Sequence, residues 1–166
     1  ARFALAGLSM GGYTALEIMR QAPTRVERLA LLDTSARADT PEQSRRRKMF
    51  VAHAKRGKYK GVTPQLVTNW VSPKSLARDP DLAQRVLDMT LRVGAEAFCR
   101  QQNAIMGRPD SRPLLSSISC PTLVLCGRED EATPLALSQE MAADIPDAQL
   151  RTIDDCGHLA TMERPE

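Results

Sequence analysis

The chain has 166 residues, enough for one domain with a sizeable core, and its 42% hydrophobic and 26% charged residues are ordinary for a globular protein. No stretch approaches the roughly 20 apolar residues that a membrane-spanning helix needs, which argues against an integral membrane protein. The net charge is only +3, but residues 39–113 carry 15 Lys and Arg against 7 Asp and Glu, whereas the remainder carries 8 against 13. This uneven distribution indicates two structural units.

The first 38 residues have the pattern of a strand, a helix and a second strand. Residues 2–7 are a short apolar run that ends in glycine. Residues 10–20 place apolar side chains at three- and four-residue spacing, and Pro23 stops the helix. The run 26–32 ends in consecutive apolar residues, which favours a strand of a parallel sheet covered on both faces.

Helical patterns without strands follow over residues 39–113. Thr40-Pro41 and Thr63-Pro64 are typical helix starts, and further helices are predicted from Asp79-Pro80-Asp81 to Leu87 and over 95–105. The strand–helix alternation then returns. It predicts strands over 121–126 and 148–153, a helix over 134–143 that Thr133 can cap, and a helix near His158. We therefore predict an α/β fold whose parallel sheet is formed by residues 1–38 and 114–166, with an inserted all-helical unit at 39–113.

The sequence Gly7-Leu-Ser9-Met-Gly11 lies between a predicted strand and a predicted helix. Such a turn is tight, so Gly7 and Gly11 are both expected to be there because a side chain would not fit. The turn places the Ser9 hydroxyl at a helix N-terminus, where the Met10 N–H and the helix dipole can stabilise a developing oxyanion. Ser9 is the candidate nucleophile, and Met10 is the candidate oxyanion donor.

A serine nucleophile needs a base, and the chain has two histidines. His53 lies within the basic helical region and is interpreted as a solvated surface residue. His158 follows the last predicted strand, and loops at the carboxyl ends of parallel strands are where catalytic groups collect. Gly157 is expected to let the backbone turn so that the imidazole points back over the sheet. His158 is therefore the candidate base.

Two aspartates compete for the role of the acid that orients the histidine. Asp130 lies in the loop after strand 121–126, with Glu129 and Glu131 interpreted as solvated neighbours. Asp33 ends the second predicted strand and faces the same edge of the sheet. Its alternative role is to accept backbone N–H groups within the turn that it begins. The loop chemistry and the chain order of serine, acid and histidine favour Asp130.

Four segments together resemble the α/β-hydrolase superfamily: GLSMGG, LLD-T-S, PTLVLCGREDEATP and DDCGHLATMERPE. The similarity is greatest to its small bacterial esterases and 3-oxoadipate enol-lactonases. The resemblance implies that Ser9, Asp130 and His158 act as nucleophile, acid and base, and that no cofactor is needed. It also implies that residues 39–113 are the helical cap, which carries the substrate preference.

One departure from this family concerns the start of its fold. The family's fold begins with several strands and a loop that supplies a second oxyanion N–H, and nothing in this sequence corresponds to them. We expect the chain to be a piece of a protein of roughly 260 residues that lacks about the first third. We also expect the missing segment, or a second copy of the chain, to pair along the first strand.

The function expected from these residues is hydrolysis of a small carboxylic ester or lactone through an acyl-enzyme. The alternatives are a C–C bond hydrolase or a cofactor-free perhydrolase with the same triad, and a ligand sensor or inactive fragment with the hydrolase fold. A serine argues against haloalkane dehalogenases and epoxide hydrolases, which use an aspartate at this position of the fold.

Two other kinds of binding are not expected. The run Arg45–Lys48 is interpreted as a solvated helix face rather than a nucleic-acid site, because few aromatic residues accompany it. The four cysteines form no CxxC pair and have no regular spacing with the histidines, which argues against a metal site. They are interpreted as reduced cysteines of a cytoplasmic protein.

Overall fold

The computed structural model describes residues 1–166 and has an α/β fold with one sheet of four parallel strands. The strands lie in the order of the chain, and each neighbouring pair is parallel. They are β1 (Phe3–Leu8), β2 (Val26–Leu32), β3 (Thr122–Gly127) and β4 (Ala148–Ile153). The predicted α/β fold class is confirmed. All four strands end at the same edge of the sheet, where the candidate residues follow them.

Helices cover one face of the sheet and fill the segment between β2 and β3. They are α1 (Met10–Gln21), α2 (Pro41–His53), α3 (Pro64–Thr68), α4 (Pro73–Arg78), α5 (Leu82–Met106), α6 (Arg112–Leu115), α7 (Leu135–Asp144) and α8 (Ala160–Glu163). Side-chain caps explain several of their starts. Thr40 and Gln43 form a capping box at α2, and Thr63 caps α3, as their sequences predict. None of these helices is long and apolar enough to cross a membrane.

The helical insertion, residues 39–113, differs from the prediction at helix α4. This helix was not predicted, although Ser72-Pro73 has the same cap-and-proline pattern as the helix starts that were recognised. Helix α5 spans 25 residues and is broken at Gly94, whose φ of 73° and ψ of 161° are not helical. The break separates the two helices that were predicted to Leu87 and over 95–105.

The main core lies on one face of the sheet, between the strands and helices α1 and α7. It contains fully buried side chains from each layer, including Leu16, Leu31, Ile118, Val124 and Met141. The opposite face is uncovered within the chain: strands β1, β2 and β3 carry exposed or half-exposed side chains there, such as Ala4, Ala6, Ala30 and Leu123. Strand β1 pairs only with β2, so its outer edge is unpaired.

The helical insertion leaves and rejoins the rest of the chain at one point, which we call the neck (Asp39, Arg47 and Arg108). The Asp39 side chain is almost completely buried, with 1% exposure. Its two carboxylate oxygens accept hydrogen bonds from Arg108 Nη1 at 2.6 Å and Arg47 Nε at 2.8 Å. The Arg108 guanidinium also lies over the Tyr13 ring of α1, 4.1 Å from its centroid. The beginning and the end of the insertion are therefore held together against α1.

Candidate active site

Ser9 occupies a sharp turn between β1 and α1. Its φ of 52° and ψ of −114° are a strained combination for a residue with a side chain. The backbone is held there by Ser9 N–H, which donates to Leu32 O at 2.9 Å, and by the Thr34 hydroxyl, which donates to Ser9 O at 2.7 Å. The second strand and the residues after it thus fix the serine at the carboxyl edge of the sheet.

The glycines around Ser9 are constrained differently from the prediction. A Cβ added at Gly7 would lie 2.3 Å from Gly11 O, so Gly7 is required by a close approach of backbone. A Cβ at Gly11 would meet nothing within 4 Å, so the expectation that Gly11 must lack a side chain is wrong within this chain. The second constrained position is Gly12, where a Cβ would lie 2.3 Å from Thr34 Oγ1.

The three predicted triad residues lie in one chain of hydrogen bonds. His158 Nε2 is 2.8 Å from Ser9 Oγ, and His158 Nδ1 is 2.8 Å from Asp130 Oδ2. The imidazole and the carboxylate are buried, with 7% and 0% side-chain exposure. An Nδ1–H that donates to Asp130 leaves the Nε2 lone pair to accept the serine proton. This is the arrangement that a general base beside a nucleophile requires.

Both oxygens of Asp130 are fixed by its own loop. Oδ1 accepts backbone N–H groups from Ala132 at 2.8 Å and Thr133 at 2.9 Å. Oδ2, the oxygen that faces His158, also accepts the Thr133 hydroxyl at 2.7 Å. Thr133 therefore orients the carboxylate and does not cap α7, which has no side-chain cap. Part of this arrangement has a sequence signal, because an aspartate in a turn commonly accepts backbone N–H groups of the residues that follow it.

Asp33 lies close to the site but does not contact His158 directly. Its Oδ1 accepts Gly127 N–H at 2.9 Å, and its Oδ2 accepts Ala160 N–H at 3.1 Å. It therefore bonds the residues that precede the Asp130 loop and follow the His158 loop, rather than N–H groups of its own turn. Burial raises the pKa of Asp33 to about 6, although both N–H donors act to lower it.

The Met10 N–H at the start of α1 has no acceptor within the chain. It follows Ser9 directly and is one of the unsatisfied donors of a helix N-terminus. A carbonyl oxygen attacked by Ser9 Oγ can accept this hydrogen bond. The Met10 N–H, which was predicted to be an oxyanion donor, therefore lies beside the candidate nucleophile with its hydrogen bond unused.

The His158 loop, residues 154–159, is shaped by contacts that the sequence pattern did not indicate. His158 N–H donates at 2.7 Å to the backbone oxygen of Trp70, which lies in the helical insertion. A Cβ on Gly157 would lie 2.7 Å from the same Trp70 oxygen, so Gly157 is required by this close approach. The residue of the loop with positive φ is Asp155, at 56°, and the expected turn at Gly157 is therefore displaced by two residues.

The remaining acids and histidine predicted to be solvated are exposed, namely His53, Glu129 and Glu131. One group near the triad has the composition of a metal site: Asp33, Cys126 and Asp130 offer ligand atoms within 4.8 Å of one another. All four carboxylate oxygens already accept N–H or O–H donors. Burial raises the pKa of Cys126 to about 12, so its sulfur stays protonated. This donor set does not fit a cation.

The comparisons with known proteins agree with this fold. The sequence profile of the Alpha/beta hydrolase family matches residues 1–166. The solved structure of a thermophilic esterase from Thermogutta terrifontis superposes with a TM-score of 0.93 and is 34% identical, covering 99% of this chain and 60% of that chain. The enol-lactonase from Burkholderia xenovorans LB400 gives a TM-score of 0.87 at 28% identity, covering 99% of this chain and 62% of that chain.

Among curated sequences, 3-oxoadipate enol-lactonase 2 from Acinetobacter baylyi is 25% identical over 163 residues. The match covers 96% of this chain and 58% of that protein, so the chain spans about three fifths of the length of this relative, as it does of the thermophilic esterase. The resemblance inferred from the motifs around Ser9, Asp130 and His158 is confirmed at the level of the family. The chain belongs to the alpha/beta hydrolase family.

Proposed function

We propose that the protein containing this chain is a serine hydrolase that cleaves a carboxylic ester or a lactone through an acyl-enzyme. The observation that carries the proposal is the hydrogen-bonded series in which Ser9 Oγ, the His158 ring and Asp130 Oδ2 follow one another at 2.8 Å. The names of the related proteins, which include esterases and enol-lactonases, support the same class of reaction.

In the proposed reaction, Ser9 Oγ attacks the carbonyl carbon while its proton passes to His158 Nε2. Asp130 stabilises the resulting imidazolium and holds the ring through Nδ1. The imidazolium then gives its proton to the leaving alkoxide as the C–O bond breaks, which leaves the acyl group on Ser9. In the second step, His158 Nε2 takes a proton from a water molecule while the water oxygen attacks the acyl carbon. The bond from the acyl carbon to Ser9 Oγ then breaks, and the imidazolium returns the proton to Ser9 Oγ.

The charge that develops on the carbonyl oxygen needs hydrogen-bond donors in both steps. The Met10 N–H and the N-terminus of α1 lie next to Ser9 and are proposed to supply the first of them. One such donor contributes about 3 kcal/mol of transition-state stabilisation. The catalytic set proposed for this chain is therefore Ser9, His158 and Asp130 with the backbone of Met10.

The substrate is proposed to carry a carboxylate. Residues 39–113 have an excess of eight positive charges, which favours an anionic molecule near the site. The related thermophilic esterase is described with malate bound, and several relatives are named for dicarboxylic or carboxylate-bearing substrates. Hydrolysis of a carboxylate-bearing ester should slow with added salt while a matched neutral ester responds much less. An equal effect of salt on the two esters would contradict the proposal that the substrate carries a carboxylate.

A C–C bond hydrolase is the second candidate. One relative, 25% identical over 169 residues, is named 2-hydroxy-6-oxononadienedioate/2-hydroxy-6-oxononatrienedioate hydrolase. The same nucleophile and base can serve that reaction, so the two candidates differ only in the bond that is cleaved. Turnover of dienoic diketo acids in preference to esters and lactones would favour this candidate. We also propose a cytoplasmic location, and the four buried, unpaired cysteines support a reducing compartment.

The experiment that tests the proposal is a screen of p-nitrophenyl esters and small lactones with the complete protein, followed by labelling with a fluorophosphonate. The label should attach to Ser9, and Ser9→Ala should lower kcat by about 10⁴-fold or more with the fold intact. The matched control is Ser117→Ala, which removes an exposed hydroxyl far along the chain. Retention of most activity by Ser9→Ala would exclude Ser9 as the nucleophile.

A further inference from the structure

Glu163, the last residue of α8, has a buried carboxylate whose known partners are all backbone donors. The residue is 3% exposed. Gly157 N–H donates to both oxygens at 3.0 Å, and Leu159 N–H donates to Oε1 at 3.2 Å. Ser72 N–H, from the helical insertion, donates to Oε2 at 2.9 Å. Burying a carboxylate is costly, and this one is held by three N–H groups that would otherwise lack an acceptor.

These bonds lie on both sides of His158. Along the loop, Gly157 and Leu159 donate to Glu163, His158 donates to Trp70 O, and Ala160 donates to Asp33 Oδ2. The backbone N–H groups of residues 157, 158, 159 and 160 therefore all donate to acceptors that lie outside residues 157–160. A side chain between residues held in this way has little freedom to move toward or away from Ser9 Oγ. Transfer of a proton over 2.8 Å depends on such placement.

The helical insertion contacts the His158 loop at this same place. The Ser72 and Ser75 hydroxyls donate to Asp155 O at 2.8 Å and 3.2 Å, and the Lys74 ammonium donates to Asp155 Oδ1 at 2.6 Å. Below these polar contacts, Leu159 packs in an apolar cluster with Val67, Val71, Leu82 and Val86 of the insertion. The start of α4 and the His158 loop therefore form one packed unit, with the Glu163 carboxylate bonded to both.

We propose that Glu163 is a positioning residue for His158, which couples the start of α4 in the helical insertion to the placement of the base. The inference rests on the proposed function, since it gives His158 the role of base. Glu163 does not contact Ser9 or the imidazole, so its effect passes through the backbone of Gly157 and Leu159. A change at this carboxylate should alter the chemical step more than the binding of a small substrate.

The test is Glu163→Gln in the complete protein, with Glu131→Gln as the control. Glutamine keeps the shape but points an NH₂ group at an N–H donor that the carboxylate accepted. We expect kcat, expressed per Ser9 titrated with a fluorophosphonate, to fall about 10- to 100-fold, with KM for a small neutral ester changed by less than about twofold. Glu131 is exposed and next to Asp130, so removal of its charge should leave kcat within about twofold.

Hydrogen exchange measured on the same variants separates this inference from the proposed function. The amides of Gly157 and Leu159 should exchange faster in Glu163→Gln than in the wild type. Unchanged exchange, or unchanged kcat per titrated site in an active enzyme, would overturn the proposal. A wild type that neither hydrolyses esters nor takes the label contradicts the proposed function, while the exchange rates still decide whether Glu163 holds the loop.

A second variant keeps the inference testable when Glu163→Gln does not fold. Ser72→Ala keeps the N–H bond to Glu163 but removes the hydroxyl, which donates to Asp155 O and accepts Ser75 N–H as the cap of α4. This change weakens the contact between the insertion and the His158 loop at a residue about 80 positions before Asp155 in the sequence. We therefore expect kcat to fall several-fold and hydrogen exchange at the Gly157 amide to become faster. Wild-type values for both would show that the insertion and the base are not coupled here.

Discussion

Asp33 and Asp130 both follow strands of the sheet, but their carboxylates have different partners. Asp130 Oδ2 faces His158 Nδ1, while the two oxygens of Asp33 are taken by Gly127 and Ala160 N–H groups. The first arrangement can orient and charge-stabilise an imidazole, and the second joins two loops. The sequence alone offered both aspartates as the acid that orients His158. The structure distinguishes them by the groups that each carboxylate accepts.

The pair of variants Asp130→Asn and Asp33→Asn should separate these roles. Asp130→Asn should lower kcat by about 10⁴-fold, because an amide favours the wrong imidazole tautomer. Asp33→Asn should cost about tenfold or less, since it only weakens bonds to Gly127 and Ala160. The measurement is kcat per titrated Ser9. A greater loss for Asp33→Asn would move the role of acid to Asp33.

The raised pKa of Asp33 predicts a pH dependence of stability. Its pKa is raised from 3.8 to about 6 chiefly by burial, so the native state holds its proton over a range where the unfolded chain has lost it. The free energy of unfolding contributed by Asp33 therefore falls as pH rises from about 4 to about 6, by about 3 kcal/mol, and is level above that range. Denaturant titrations of wild type and Asp33→Asn should show this difference. A difference between the two proteins that is constant with pH would contradict it.

At the scale of single residues, the sequence predicts the parts that belong to local motifs. Ser9, Asp130 and His158 each lie in a short pattern with a recognisable strand before it. Glu163 and Trp70 carry no such pattern, because their importance arises from contact between segments distant in the chain. Thr133 was predicted to cap the next helix, and its bond to Asp130 was missed because only the fold shows which of the two groups its hydroxyl meets.

The turn between β1 and α1 offers a matched test of an element. Gly7→Ala would place a Cβ 2.3 Å from Gly11 O, and neither backbone can yield without moving Ser9. We expect a loss of about 3 kcal/mol or more in the free energy of unfolding and a loss of the proposed hydrolase activity. Gly11→Ala meets nothing within 4 Å and should change stability by no more than about 1 kcal/mol. Equal effects of both variants would contradict the geometry of the turn.

The elements themselves were predictable where caps and apolar periodicity agree. Strands β1 to β4 and helices α1, α2 and α3 lie close to their predicted positions. Helix α4 is only six residues long and has no apolar periodicity of its own, so its cap sequence was the only signal. The two helices predicted on either side of Gly94 correspond to the two halves of α5, and the glycine in the sequence marks the break between them.

The sheet of this chain has one uncovered face and two edge strands, β1 and β4, each of which pairs with a single neighbour. The outer edge of β1 has unpaired backbone groups, and Ala4 and Ala6 are exposed on the uncovered face. An open edge of this kind recruits another strand, and an uncovered apolar face favours association by about 25 cal/mol per Å² buried. We propose that β1 pairs with a further segment of the complete protein or with a second copy of the chain.

Residues 1–166 expressed alone should therefore associate and show little activity. Sedimentation velocity should give dimers or larger species, and Ala6→Lys, which places a charge on the uncovered face, should shift them toward monomer. Thr24→Lys adds the same charge at an exposed position outside the strands and serves as the control. A folded monomer at micromolar concentration, fully active, would be incompatible with the proposal.

The neck has a consequence for transplanting the insertion between members of the family. Asp39 and Arg108, which lie near the two ends of the insertion, form an ion pair. Removal of the segment between them therefore leaves two chain ends that are already adjacent. A donor segment from a relative with another substrate range can be grafted onto these ends without spanning a gap. The graft must also bring residues equivalent to Trp70, Ser72 and Ser75, since these residues contact the His158 loop and Glu163. Chimeras that keep only the neck would lose these contacts.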